Sequence, residues 1–324
     1  MPEKMMEDSK GHYILGLLLF ISGLLVLLVV VTLRSQADDS STSATINNAT
    51  PSVDTITISD TSLGSSIGNI DLNENTTKTV YVHGAYSDAN GCSDVATSGS
   101  LTLRFFLTPS GSTCTQNDTN CYTTGSTGYT CNYSTVPGDS CSGGSDTTAN
   151  YECSVPLQYF AVPTDNGSPN QFTDWRGLIT AVDGSNATGT LYYGVEVNTL
   201  RALDVTASIN YGSLSVGATS GTDVPSTITN TGNDDDLDVE ISGTSMACTA
   251  GTIAVGNQKY SLTASEAYGS MIALSGTPVT QQTNIPAATV VATPSTDDVY
   301  WKLQVPNGVS GSCSGTTTFS AVAG

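Results

Sequence analysis

The run from Tyr13 to Leu33, YILGLLLFISGLLVLLVVVTL, divides this chain into two unequal parts. It carries no charge over 21 residues, with Lys10 and His12 before it and Arg34 after it. At about 1.5 Å per helical residue it spans roughly 30 Å, the thickness of a bilayer's hydrocarbon core. A soluble helix this apolar all round needs other helices to cover it. The rest of the chain cannot supply them: it is rich in Thr, Ser, Gly, Asn and Asp and poor in Lys and Glu, a composition of strands and turns. The expectation is a retained transmembrane helix over 13–33, a cytoplasmic tail over 1–12, and the remainder outside the membrane.

Two kinds of processing compete with an anchor. A cleaved signal peptide has an apolar region of about 7–15 residues, shorter than this one, although Ser35-Gln36-Ala37 offers small residues near a cleavage position. Lys10-Gly11 before the run resembles the leader of type IV pilin precursors, and cleavage after Gly11 would leave a filament subunit starting at His12. The bacterial pilin pattern has Glu at the fifth mature position, where this chain has Gly16. Lys4 and Lys10 on one side against Arg34 on the other orient the helix only weakly. Gly16 and Gly23 share a helix face without the G-x-x-x-G spacing of close helix pairs.

The cysteines orient the chain better. All eight lie beyond the apolar run: Cys92, Cys114, Cys121, Cys131, Cys141, Cys153, Cys248 and Cys313. No two have C-x-x-C spacing, so zinc and thiol–disulfide exchange are disfavoured, and an even number outside the cytoplasm reads as disulfides. Cys248 and Cys313 stand alone in the C-terminal part and are expected to pair. Among the other six, Cys114–Cys121, Cys131–Cys141 and Cys92–Cys153 form one of fifteen arrangements. Six asparagines occupy N-x-S/T sequons and are glycosylation candidates where the host has the machinery: Asn48, Asn75, Asn117, Asn132, Asn166 and Asn186. With 9 basic and 29 acidic residues the formal charge is −20, which repels phosphate backbones and excludes nucleic acid as a partner.

Residues 34–53 have almost no large apolar side chains and read as a flexible stalk. From Asp54 the pattern has period two, as in Lys78-Thr79-Val80-Tyr81-Val82-His83 and Leu178-Ile179-Thr180-Ala181-Val182. Short alternating runs between Gly, Asp and Asn turns are the signature of an antiparallel sandwich. The expected fold class is all-β: two antiparallel Ig-like β-sandwich domains after a single N-terminal transmembrane helix. The first spans 54–200 and carries a disulfide-rich insertion at 109–150, too long to be ordered unaided; the second spans 201–324. In the second, Thr227–Asn233 and Leu237–Ile241 are expected to form a hairpin about a Gly-Asn turn.

Calcium is the cofactor the acidic residues suit. Asp88-Ala89-Asn90-Gly91-Cys92-Ser93-Asp94 puts Asp88, Asn90 and Asp94 at alternate positions with a glycine for the bend, half of a calcium loop without its terminal Glu. The plainer reading is an Asn-Gly hairpin turn. Asp236, Asp238 and Glu240 share one face of an alternating strand, a second candidate set or simply a solvated face. His83 is the one histidine outside the membrane-proximal His12, so a Ser-His-Asp triad could be built only on it. Gly64-Ser65-Ser66-Ile67-Gly68 matches G-x-S-x-G, but no helix pattern follows, as that elbow requires. No catalytic residue is assigned. Trp175 and Trp301, one per domain, read as core residues.

Two successions of residues carry a resemblance. "ALDVTASINYGSLSVG … TNTGNDDDLDVEISGTSMAC … GNQKYS … YWKLQVPNGVSGSCSGTTTFSA" and, upstream, "VHGAYSDANGC … YECSVPLQYFAVPTD … W" resemble the tandem modules of uncharacterised exported, membrane-anchored Ig-like surface proteins of ultra-small candidate-phylum bacteria. That resemblance implies architecture and location and supplies no catalytic residues. The expected role is a structural or adhesive surface protein rather than an enzyme. Its partners are the membrane through 13–33 and copies of itself, other surface proteins or glycans. A pilin-like filament subunit and a secreted hydrolase are the alternatives.

Overall fold

The computed structural model describes residues 13–25 and 40–324. Residues 13–25 are helical with exposed side chains. The rest of the apolar run, the tail 1–12 and the beginning of the stalk lie outside the described residues. Among the described residues no helix is long and apolar enough to cross a membrane. Residues 48–324 form one compact unit.

Its N-terminal half holds β1 (Ser52–Val53), β2 (Thr57–Ser59), β3 (Asn69–Ile70), β4 (Lys78–Ser87), β5 (Ser100–Leu107), β6 (Cys121–Tyr122), β7 (Thr130–Asn132), β8 (Thr148–Leu157), β9 (Trp175–Val182) and β10 (Thr188–Val197). One sheet runs β1-β4-β8-β7, with β2 also on β4; the other runs β3-β10-β9-β5-β6. All pairs are antiparallel except β3 with β10. The period-two pattern does what it predicts. On β9, Trp175, Ile179 and Ala181 are buried while Arg176, Leu178 and Thr180 are less so. They meet Val80, Val82, Tyr151, Val155 and Leu157 of the facing sheet in one core. Gly177 keeps that spacing short, since a Cβ there would meet Val82 and Ile58 at 3.4 and 3.5 Å. Each large apolar side chain so buried stabilises by about 1.5–3 kcal/mol.

The C-terminal half holds β11 (Leu203–Val205), β12 (Val224–Asn230), β13 (Leu237–Gly243), β14 (Met246–Ala250), β15 (Thr252–Ile253), β16 (Gln258–Ser261), β17 (Ile272–Ala273), β18 (Val279–Ile285), β19 (Thr296–Leu303), β20 (Ser310–Ser314) and β21 (Thr317–Ala323). They make three sheets: β11-β12-β19-β16-β17, β18-β13-β21, and β15-β14-β20. Trp301 on β19 packs between Tyr260, at 5.2 Å, and Phe319 of the second sheet, at 6.0 Å between ring centroids. A separate small cluster of Ile253, Leu303, Val305 and Val309 underlies the third sheet.

The two halves meet through a polar joint. Buried Asn233 donates to the carbonyls of Ala161 (2.9 Å) and Asn198 (3.1 Å) and accepts the amide of Leu200 (2.6 Å). Thr231 donates to Glu74 and takes the amide of Asn75 on its carbonyl.

Four expectations are corrected. The stalk ends before residue 53: Ser52–Val53 already pairs with β4, a strand too short to show a period. Asp88–Gly91 is a turn, with Gly91 at φ 115° and its amide on Asp88 O, but it is not a hairpin. It leads through a one-turn helix, Asp94–Ser98, across to β5 in the other sheet. Likewise β12 and β13 belong to different sheets. Asn230 turns the chain between them, donating to the carbonyls of Asp234, Ile285 and Pro286.

The fourth concerns the disulfides. All eight cysteines are bonded. Cys114–Cys121 and Cys248–Cys313 pair as expected, whereas the other four pair Cys92–Cys141 and Cys131–Cys153 rather than Cys92–Cys153 and Cys131–Cys141. The reason is register. Within the insertion, β7 adds an edge strand to β8 and puts Cys131 directly opposite Cys153. Cys141 is then left for buried Cys92.

Candidate metal centre

Three carboxylates converge at one end of the N-terminal sandwich. Asp88 follows the end of β4, Asp94 opens the one-turn helix, and Asp183 follows the end of β9. One oxygen of each lies within 4.8 Å of the other two; among the described residues this is the one group of three or more Asp, Glu, His or Cys side chains so gathered. Asp88 and Asp183 are buried, each 1% exposed, and Asp94 is half-buried.

Backbone and amide donors fix each carboxylate. Asp88 Oδ1 accepts the Asn90 N–H at 2.8 Å, Asp94 Oδ1 the Gly184 N–H at 3.1 Å, and Asp183 Oδ1 the Ser185 and Ala187 N–H groups at 2.8 Å each. Asn48 donates its side-chain amide to Asp183 Oδ2 at 2.7 Å. Asp88 Oδ2 is buried with no hydrogen-bond partner. The protonation balance follows. Burial first, then repulsion from Asp94 and Asp183, holds the Asp88 carboxyl above the usual carboxylate range, offset in part by the Asn90 N–H. The Asn48 amide, with the Ala187 and Ser185 N–H groups, holds Asp183 below it. Gly184 is required: a Cβ there would lie 2.7 Å from the Asp94 carboxylate.

Asp88 and Asp94 thus come together as their spacing suggested. Asn90 does another job, its side-chain oxygen accepting the Ala49 N–H at 2.6 Å. Asp183 was missed: its Asp-Gly signature marked a turn, and no spacing rule links residues 89 apart in sequence. The second acidic set does not gather. Asp238 is buried, not solvated, and accepts the Asn284 N–H; Glu240 takes the Thr280 hydroxyl at 3.4 Å, and Asp236 is exposed. Next to them Asp234 pairs with Arg201 at 2.6 Å.

The remaining candidates are structural. His83 Nε2 lies 3.0 Å from the Gly64 carbonyl, which can only accept, so that nitrogen carries the proton. Gly64–Gly68 is irregular chain entering β3, not a strand-to-helix elbow. Ser62 donates to Glu152 rather than to His83. Trp175 and Trp301 are fully buried. All six sequon asparagines are exposed. A groove of about 740 Å³ in the C-terminal half is lined by Tyr211, Leu214, Met246, Val305 and Val309 among others, with no acid or histidine on its walls.

Neither a protein-family model nor a curated protein matches the chain. Among solved structures, a chaperone–tip adhesin complex of CFA/I fimbriae biogenesis overlaps it at 9% identity and TM-score 0.31, covering 74% of this chain and 76% of that one. A partial N-terminal region of an enterococcal surface protein gives 10% identity and TM-score 0.24, with 88% and 93% covered. The secreted serine protease VesC of Vibrio cholerae gives 8% and 0.18, with 78% of this chain and 49% of the protease. Overlaps at these scores decide neither fold family nor activity.

Proposed function

We propose that this chain is a membrane-anchored cell-surface protein with a structural or adhesive role, its N-terminus in the cytoplasm and residues 48–324 outside. The observation that carries the reading is that all eight cysteines are disulfide-bonded in an all-β unit. Such crosslinks persist outside the reducing cytoplasm, and the apolar run 13–33 supplies the means of attachment. The acidic surface keeps the unit soluble and disfavours nucleic acid. Contact with its own copies, other surface proteins or glycans would run through loops and exposed strand edges, where backbone groups are free to pair.

Unreduced intact-mass and N-terminal peptide analysis of the protein from membranes tests this. The expected result is a retained N-terminus in the membrane fraction with no titratable thiol. A start at His12 with recovery in sheared fibres would replace the anchor by a filament subunit. A start near Asp38 in the medium would make it a secreted protein, and free thiols would remove the case for an extracytoplasmic location.

A further inference from the structure

We propose that Asp88, Asp94 and Asp183 bind one calcium ion at the end of the N-terminal sandwich where the chain enters it. An acidic cluster alone would not justify a site, because exposed carboxylates repel one another harmlessly in water. Here two of the three are buried, and none takes part in any ion pair of the described residues. In this half Asp88 Oδ2 is also the sole buried side-chain polar atom, among the described residues, without a hydrogen-bond partner. Leaving such an oxygen bare is costly, more so for a charged group. A cation among the three carboxylates removes both penalties at once.

The donor chemistry selects the ion. The set is oxygen only: His83 is engaged with Gly64, and the neighbouring Cys92 is closed in a disulfide, so soft and borderline metals gain nothing. Calcium at about 2.3–2.6 Å from each ligand spans oxygens up to about 5 Å apart, whereas magnesium spans about 4 Å and gives up its waters reluctantly. Oxygens gathered within 4.8 Å of one another can all reach one such ion, and magnesium's reluctance to give up its waters favours calcium. Water and backbone carbonyls would complete the shell.

The three acids belong to different parts of the half. Asp88 ends a strand of one sheet, Asp183 a strand of the other, and Asp94 lies on the crossing between them. The incoming chain is tied to the same place, Asn48 to Asp183 and Ala49 to Asn90. A bound ion would therefore clamp the two sheets together and hold the first residues of the unit against them. This inference does not depend on the surface role.

The test is thermal unfolding of the full-length chain in detergent, with chelator, about 10 mM calcium or about 10 mM magnesium. For an affinity typical of extracellular calcium modules, calcium raises the midpoint by about 5–10 °C and magnesium far less. D94N keeps the oxygen that Gly184 needs but removes a ligand charge. Its midpoint in chelator should equal or exceed that of the native chain, and the calcium shift should be lost. D236N, in the other acidic set, should keep the shift. Amide exchange at Ala49 and Gly184 should slow on adding calcium in the native chain only. No shift, a shift retained in D94N, an equal shift with magnesium, or equal losses in D94N and D236N would each overturn the assignment.

Discussion

Trp175 and Trp301 hold the same place in the two halves, each fully buried on the central strand of a five-stranded sheet. Trp175 donates its indole N–H to the Val162 carbonyl at 2.8 Å; the Trp301 N–H has no partner. The difference runs through both cores. In the N-terminal half Tyr86 donates to Tyr133 O, Tyr122 to Asp118 O and Tyr151 to Thr55 O. Burial pushes the Tyr86 hydroxyl up to about 12, which keeps it a donor. In the C-terminal half Tyr211, Ser226 and Tyr260 leave hydroxyls buried and unpaired. The acceptors explain this. Val162, Tyr133, Asp118 and Thr55 all lie outside the strands. Strand carbonyls are consumed by the ladders, so a buried aromatic hydroxyl depends on chain that leaves the sheet and folds back. Disulfide-closed loops supply Tyr133 and Asp118, the connection from β8 to β9 supplies Val162, and the short link from β1 to β2 supplies Thr55.

The comparison can be broken most forcefully at the disulfides. Loop entropy alone assigns about 4 kcal/mol to either Cys92–Cys141 or Cys248–Cys313, whose cysteines are 49 and 65 residues apart. If connections also supply acceptors, replacing Cys92 and Cys141 by Ser should cost clearly more than replacing Cys248 and Cys313, because Tyr133 lies inside the first loop. Urea denaturation followed by tryptophan fluorescence measures both; equal costs, or a larger one in the C-terminal pair, would refute the account.

The tryptophans give a smaller effect. Trp175→Phe loses volume and a buried hydrogen bond, about 2–3 kcal/mol, whereas Trp301→Phe loses volume but also an unpaired N–H, about 1 kcal/mol. The same denaturation curves rank the pair, and the reverse order would count against the argument. Smallest is the hydroxyl pair. Tyr151→Phe should cost about 1 kcal/mol, and Tyr260→Phe should be neutral or slightly stabilising. A measurable loss in Tyr260→Phe would mean that its hydroxyl finds a partner in solution.

By itself the sequence determined the strand-rich character, the burial of both tryptophans, and that every cysteine would be paired. Those follow from period-two alternation and composition, which act over a few residues. It also brought Asp88 and Asp94 to attention, six positions apart across a glycine turn. Tertiary structure decided the rest. Whether Asp88–Gly91 or Thr231–Asn233 turned back or crossed to another sheet depended on what lay opposite, not on the turn residues. The exchange of partners among Cys92, Cys131, Cys141 and Cys153 followed from one register, β7 against β8. Asp183 joined the acidic site because β9 ends beside the crossing that carries Asp94. Pairing register and the meeting of strand ends are properties of packing between distant segments, and no local pattern encodes them.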